Sequence, residues 1–376
     1  MRSRLERLLR LIWSGHRETH LGVGGRLLYL LLIPFGMMYS GLVWARRELY
    51  RSGLLLRRRV HGLTVVSIGN LTVGGTGKTP LVVGLVRGLL DQGVPTAVVA
   101  RGYRATGRGR GPLLVSDGAG PLVPVELAGD EPVMIARSVP AVVIVSRDRY
   151  LGARLARERY GAEVVVLDDG FQHLRLARDV DIVLLDAADP FGNGWTLPAG
   201  RLREPLSALH DADLFLFVQR GLTGVRPIPR RLKGLLQALR PGAVTLDGLL
   251  RLDGLRRAGG GTTRPLEWLV DRSLLLVSGL AAPRSFEAEL RQRGVRVAGH
   301  LDFGDHHRYT DSDLEVIRRA FRESGAEAVV TTSKDEVKLV PAGLSEDDEV
   351  WVATVSFEPR SVDLLVQALT RADIQG

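Results

Sequence analysis

The sequence predicts an α/β protein built on a mostly parallel, doubly wound sheet, with a second, smaller α/β domain and an apolar N-terminal helix. Three observations predict it. Short β-branched runs alternate with helical stretches along most of the chain. The first of these runs opens into a glycine-rich loop that leads directly into a helix, and a later one ends in two adjacent aspartates, Asp168 and Asp169. The 376 residues are ample for two domains. With 45% hydrophobic and 25% charged residues the composition is that of a globular protein, which excludes collagen-like and fully disordered chains. The absence of cysteine excludes disulfides, a thiolate nucleophile and cysteine-ligated metal, and fits a reducing compartment.

The charge lies at one end. Residues 1–60 hold 12 arginines, among them Arg2, Arg4, Arg7, Arg10, Arg17, Arg26, Arg46, Arg47 and Arg51, against Glu6, Glu18 and Glu48. That surplus equals the whole net charge of +9, so the rest of the chain is neutral. A basic groove for nucleic acid spread over the body is therefore not expected. A basic end beside an apolar run points instead to anionic lipid. The run is Leu27 to Trp44, uncharged and flanked by Arg26 and by Arg46-Arg47. A spanning helix needs about 20 apolar residues, and Pro34 and Gly36 interrupt this one. In-plane or shallow insertion is the first reading. A true span and a buried core helix are the alternatives. A cleaved signal peptide fits poorly, because the run starts late and no small-residue cleavage site follows.

The body then reads in order. Leu63 to Ile68 is a strand, Pro80 to Leu90 a helix, and Thr96 to Ala100, Ala141 to Ser146, Ala162 to Asp168, Asp181 to Asp186 and Asp213 to Gln219 are further strands, with a helix over Arg147 to Arg159. Residues Val225 to Arg264, punctuated by Pro227, Pro229, Pro241 and Gly259 to Gly261, read as a connector with some local pairing. A second unit follows, with strands Ser273 to Ser278, Val295 to His300, Ala328 to Thr332 and Val350 to Val355, and a helix from Pro283 to Arg293. The expected organisation is a membrane-associating segment 1–56, a core 57–224, a connector 225–264 and a C-terminal domain 265–376.

The loop Thr72-Val73-Gly74-Gly75-Thr76-Gly77-Lys78-Thr79 has the chemistry of a phosphate cradle. Glycines let backbone N–H groups turn toward phosphate oxygens. Lys78 can reach the β- and γ-phosphates, and the Thr79 hydroxyl can bind Mg²⁺. Thr72 stands where the usual motif opens with glycine, but the strand–loop–helix context is that of a P-loop nucleotide-binding protein. A purely structural glycine turn is the bland alternative. Acids at a strand end, here Asp168 and Asp169, hold Mg²⁺ directly or through water in such proteins. Adjacent strand residues point to opposite faces, so one first ligand is expected unless the chain turns between them. Solvated acids at an ordinary strand-to-turn junction are the alternative.

GNLTVGGTGKTP together with DDGFQHLRLARDVDIVLLD resembles the tetraacyldisaccharide 4′-kinase family. Arg101-Gly102-Tyr103, Gly129-Asp130-Glu131-Pro132, the Leu197–Pro205 segment, Phe303–Thr310 and Thr331–Asp335 extend the likeness from about residue 60 to 340. Ser333 departs from the family, which often has Glu there. The resemblance implies transfer of the γ-phosphoryl group of ATP, with Mg²⁺, to the 4′-hydroxyl of a tetraacylated glucosamine disaccharide 1-phosphate, giving lipid IVA of lipopolysaccharide. It implies Asp130 as base, helped by His306. On residue type alone Asp130 could equally cap a helix. It implies Glu204 and Asp169 for Mg²⁺ and Arg203 for phosphate charge, although Arg203-Glu204 also reads as a surface ion pair. Arg101 and Gln172 are candidates for substrate contact, with Gln172 alternatively fixing the turn behind Asp169. Lys334 and Asp335 are candidates for nucleotide contact. Asp130 and His306 fall in different predicted domains, so the site is expected in a cleft whose closure assembles it.

A tetraacylated substrate stays in its bilayer, since each buried CH₂ is worth about 0.8 kcal/mol. A monomer at the cytoplasmic face of the bacterial inner membrane, held by its basic, apolar end, is expected. Two other readings remain at this point. A membrane-recruited P-loop ATPase switch is disfavoured because partition-type loops carry a lysine where this chain has Val73. A soluble small-molecule kinase or ligase has no ready use for the Leu27–Trp44 run.

Overall fold

A computed structural model describes Trp13 and residues 23–103, 111–221, 227–280, 283–344 and 349–373, of which 371–373 by backbone alone. The N-terminal Arg2, Arg4, Arg7, Arg10, Arg17, Glu6 and Glu18 lie outside the described residues. The chain is α/β, with both parallel and antiparallel strand pairs. It divides into two compact units: Met1–Lys78, Glu163–Gln219 and Val225–Gly248 form one, and Thr79–Ala162, Arg220–Gly224 and Leu249–Gly376 the other.

The first unit holds four parallel strands in the order Leu214–Arg220, Val180–Asp186, Thr64–Asn70, Val164–Asp168. Their apolar runs are continuous because both faces are covered. Ile68 lies in register with Asp168, which brings the mouth of the glycine loop and the paired acids to the same edge. Leu71, Phe171, Leu202, Phe215 and Phe217 pack into one core behind them.

The helix Val23–Arg51 runs unbroken through Pro34. One face docks on residues of the same unit. Gly36 is buried, and a Cβ there would stand 3.1 Å from the Ala199 Cβ and 3.2 Å from the Thr196 carbonyl oxygen, so glycine makes the close approach easy. Ser40 and Thr196 share a hydrogen bond of 2.8 Å. Tyr39 donates to the Arg203 carbonyl at 3.0 Å. The opposite face is open, with Leu30, Leu31, Phe35, Met38 and Leu42 all exposed. The buried-core-helix alternative therefore fails for most of this helix.

In the second unit Thr96–Ala100 pairs parallel with Val142–Val145, which pairs antiparallel with Leu113–Asp117. Arg296–Asp302, Ser273–Ser278, Ala328–Thr332 and Val350–Phe357 follow one another in parallel. The helices are locally encoded. Asp148 caps Arg149–Tyr160 by accepting from the Tyr150 N–H. Thr310 and Asp313 form a reciprocal capping box on Asp311–Ser324. Gly88 lets the helix Lys78–Asp91 approach Pro359–Asp373, where a Cβ would lie 2.7 Å from Val366.

Within Val225–Arg264 the described residues form a helix, Arg230–Leu239, and a 14-residue strand, Val244–Arg257, rather than a connector with scattered pairing. From Leu250 on, that strand pairs antiparallel with Val350–Phe357. The prolines and glycines punctuate the ends of these elements: Pro229 precedes the helix, Pro241-Gly242 follow it, and Gly259–Gly261 turn the chain toward Thr263–Arg264. Leu113–Asp117 went unread because a five-residue strand between loops shows little periodicity.

Candidate active site

The glycine loop in the first unit is built around Asn70. This residue ends its strand fully buried, and its side-chain amide donates to the Thr72 carbonyl at 2.9 Å. Its Oδ1 accepts from Lys78 Nζ at 3.0 Å. The loop is stitched to the 201–203 segment by Val73 N–H to the Arg201 carbonyl and Arg203 N–H to the Leu71 carbonyl. Gly74 (φ 123°) and Gly77 (φ 88°) take conformations closed to other residues. Thr76 is buried, and its hydroxyl has no hydrogen-bond partner among the described residues. A phosphate oxygen would satisfy it, so this loop fits the group that the motif implies. Thr79 follows Lys78 in the first helical turn and is also buried.

Asp169 faces this loop because the chain turns sharply there: its φ is 55°, in the left-handed region. Asp168 ends its strand buried, whereas Asp169 is a third exposed. The turn thus separates the two carboxylates. Arg203 Nη1 donates to both oxygens of Asp169, at 2.9 and 2.7 Å, and Lys78 Nζ stands 3.4 Å from Oδ1. Burial opposes the charge of Asp169, but Lys78 and then Arg203 outweigh it and hold the carboxyl below the usual range. Gln172 braces the back of the turn, donating to the Asn70 carbonyl at 2.9 Å. That is the turn-fixing alternative for this residue.

Arg203 and Glu204 each take a different partner, which corrects the reading of a surface ion pair between them. Glu204 is buried and paired with Arg47 of the apolar helix. Arg47 also binds Asp211, donates to the Phe171 carbonyl at 3.2 Å and covers the Phe171 ring at 4.5 Å. Among the described residues no group of three or more His, Asp or Glu side chains is arranged as a metal site. Asp169 is the acid that faces the glycine-loop lysine. Asn70 lay inside the quoted glycine-loop motif without an assigned role, and Arg47 read only as a flanking basic residue.

The second cluster lies wholly in the second unit. His306 Nδ1 is 3.1 Å from Asp130 Oδ2, so the two residues expected in separate domains fall in one compact unit and bond directly. No closure is needed to bring this pair together. Asp130 is the first residue of the helix Asp130–Ser138, and Gly129 is its N-cap, so the carboxylate is not a helix cap. His306, like Asp169, is held in the left-handed region, with φ 59°. Its ring lies 5.4 Å from that of Tyr103. Lys334 Nζ is 3.3 Å from His306 Nε2 and 2.6 Å from Asp305 Oδ1. With Nε2 accepting from Lys334, Nδ1 carries the proton toward Asp130. Lys338, which no motif flagged, is 3.2 Å from Asp130 Oδ2. Burial opposes the charge of Asp130, but the His306 hydrogen bond and the Lys338 charge overcome it and keep the carboxyl below its usual range. His307 faces away, to Asp313 at 3.0 Å. Arg101 is exposed.

The family model described as tetraacyldisaccharide-1-P 4′-kinase matches residues 28–372. The chain belongs to the tetraacyldisaccharide 4′-kinase family. A family member from Pelobacter propionicus is 41% identical over 341 residues, covering 90% of each chain. One from Syntrophus aciditrophicus is 42% identical over 321 residues, covering 83% of this chain and 84% of that one. A crystal structure of LpxK from Aquifex aeolicus, described as an "apo" form in complex with ATP, superposes with a TM-score of 0.73 at 32% identity, covering 92% of this chain and 99% of that chain. The family match spans both clusters described above and most of the apolar helix.

Proposed function

We infer that this protein is the kinase of its family: it phosphorylates the 4′-hydroxyl of a tetraacylated glucosamine disaccharide 1-phosphate with ATP. The match of residues 28–372 to that family carries the activity, and the two clusters support a division of labour. Bound MgATP supplies the phosphoryl group and a divalent charge beside its oxygens. Lys78, the loop N–H groups and Thr76 hold phosphate oxygens. Thr79 and Asp169 are the residues we assign to the metal, with Asp168 behind them. Arg203, which bonds Asp169, is the residue we assign to share its guanidinium with phosphate. Glu204 is given instead to Arg47. Asp130 takes the proton of the acceptor hydroxyl as the O–H bond breaks. The hydroxyl oxygen forms its bond to the terminal phosphorus, and the bond from that phosphorus to the bridging oxygen breaks. His306 orients the carboxylate through Nδ1 and stabilises it.

The helix Val23–Arg51 is our membrane contact. Ten large apolar side chains on it are exposed, from Val23 to Leu49. The docked face is polar from Tyr39 to Arg51, where Arg46, Arg47 and Arg51 all bond to residues 171–211. A full span would have to break those bonds. The helix therefore lies in the interface, with the protein on the cytoplasmic face of the inner membrane, where ATP and anionic lipid meet. The test is labelled ATP with the lipid disaccharide monophosphate in micelles, and Lys78→Ala as control. Label in the lipid is the expected result. Label released only as phosphate would select the ATPase-switch reading.

A further inference from the structure

Lys338 is an unusual lysine. Its side chain is 6% exposed, and it sits on the helix Ser333–Leu339 between two carboxylates. Its Nζ is 3.2 Å from Asp130 Oδ2 and 3.5 Å from Asp335 Oδ1, and 5.7 Å from the centroid of the Tyr309 ring. An ammonium is costly to bury and persists only where it is paired. One of its partners is fixed. Asp335 is fully buried and accepts from the Gly279 N–H at 2.9 Å, the Thr332 hydroxyl at 2.7 Å and the Tyr309 hydroxyl at 3.1 Å. Asp335 is thus an anchor, and its lysine lies one helical turn along.

The other partner is the base. His306 Nδ1 and Lys338 Nζ both converge on Oδ2 of Asp130. Among the described residues no hydrogen bond reaches Oδ1. We propose that Lys338 is a positioning residue for the phosphoryl acceptor's general base, anchored by Asp335 and holding Asp130 ionised by its Oδ2, so that Oδ1 is the atom that receives the hydroxyl proton. This rests on the kinase reading given above and deepens it. The groups that face the pair are His306 and Asp305 from the 305–306 loop, Lys334, Asp335 and Lys338 from one helix, Tyr309 beneath the ammonium and Tyr103 against the imidazole, and Glu131 is the other acid in the first turn of the base's own helix. Lys334 reaches only the far side of His306, so it does not duplicate Lys338.

The experiment compares full-length wild type, Lys338→Met and Lys338→Arg by kcat/KM for the lipid acceptor between pH 5 and 8.5. The ionised carboxylate is the active form, so loss of the ammonium moves the acid limb to higher pH. For Lys338→Met we expect little change at pH 8 and a loss of roughly tenfold at pH 5, with KM for ATP unchanged. Lys338→Arg should restore the limb. A folded Lys338→Met with an unmoved acid limb overturns the proposal, whether its activity is intact or uniformly reduced. Should Lys338→Met not fold, Lys338→Gln combined with Asp335→Asn removes the ammonium together with its buried counter-charge and takes the same test. The carboxyl carbon of Asp130, followed by NMR without turnover, should titrate at higher pH when the ammonium is gone, and an unchanged midpoint also overturns the proposal. If wild type labels no lipid while that titration still moves, the kinase reading falls and the Lys338–Asp130 coupling stands.

Discussion

Arg47 of the apolar helix and Glu204, the residue after Arg203, form an ion pair in which each side chain is only 2% exposed. The apolar helix is thereby tied to the segment that carries Arg203. Removing one member of a buried pair strands the other charge, at a cost of about 3–5 kcal/mol. Arg47→Met should therefore lower the denaturation midpoint markedly, and adding Glu204→Gln should recover much of the loss. Denaturant unfolding of wild type, Arg47→Met, Glu204→Gln and the double variant measures the coupling directly.

Asp130 and His306 should behave as one unit. Asp130→Asn and His306→Ala are each expected to cut turnover by about 10²–10⁴-fold, with ATP binding retained. The double variant should lose little more than the worse single one. Steady-state kinetics alongside nucleotide titration separates this from misfolding, which would remove both.

Acid should destabilise the fold through its depressed carboxyls. Burial opposes the charges of Asp130 and Asp211, but His306 and Lys338 for the first, and Arg47 and Arg51 for the second, pull both below the ordinary range. A carboxyl lower in the folded state contributes stability that is complete above its unfolded value of about 4 and disappears as pH falls through the folded value. Denaturant midpoints should lose these contributions below about pH 4, and Arg47→Met should show a shallower decline.

Much of this was legible in the sequence. Ser273–Ser278, Thr96–Ala100 and Ala328–Thr332 stand where the short apolar runs put them. The glycine loop announced itself because phosphate chemistry demands glycines, a lysine and a threonine at fixed spacing. Asp130 and His306 entered through resemblance, since neither residue type is diagnostic alone. What stayed hidden depends on tertiary neighbours. Arg47 looked like one more flanking basic residue until Glu204 and Asp211 enclosed it. Val244–Arg257 was obscured because its partner, Val350–Phe357, lies a hundred residues on.

Gly36 should be a sensitive position. Gly36→Val places methyl groups against Ala199 and Thr196, where even a Cβ stands at 3.1 and 3.2 Å. We expect a destabilisation of about 1–3 kcal/mol, read by thermal unfolding, and partial release of the helix, read by protease sensitivity around residue 40.

The open face of the same helix should govern lipid binding. Replacing Leu30, Leu31 and Leu42, all exposed, by serine should lower partition into anionic vesicles by roughly tenfold or more, since each buried leucine is worth about 1.5–3 kcal/mol. ATP affinity in micelles should be unchanged.

Ten uncovered oily side chains on one helix also bear on how the molecule must be handled. In plain buffer, with neither bilayer nor surfactant, the cheapest shelter for that stripe is the same stripe on another copy. An apparent size measured there would report that shelter together with any native assembly, so it has to be measured again in mild detergent.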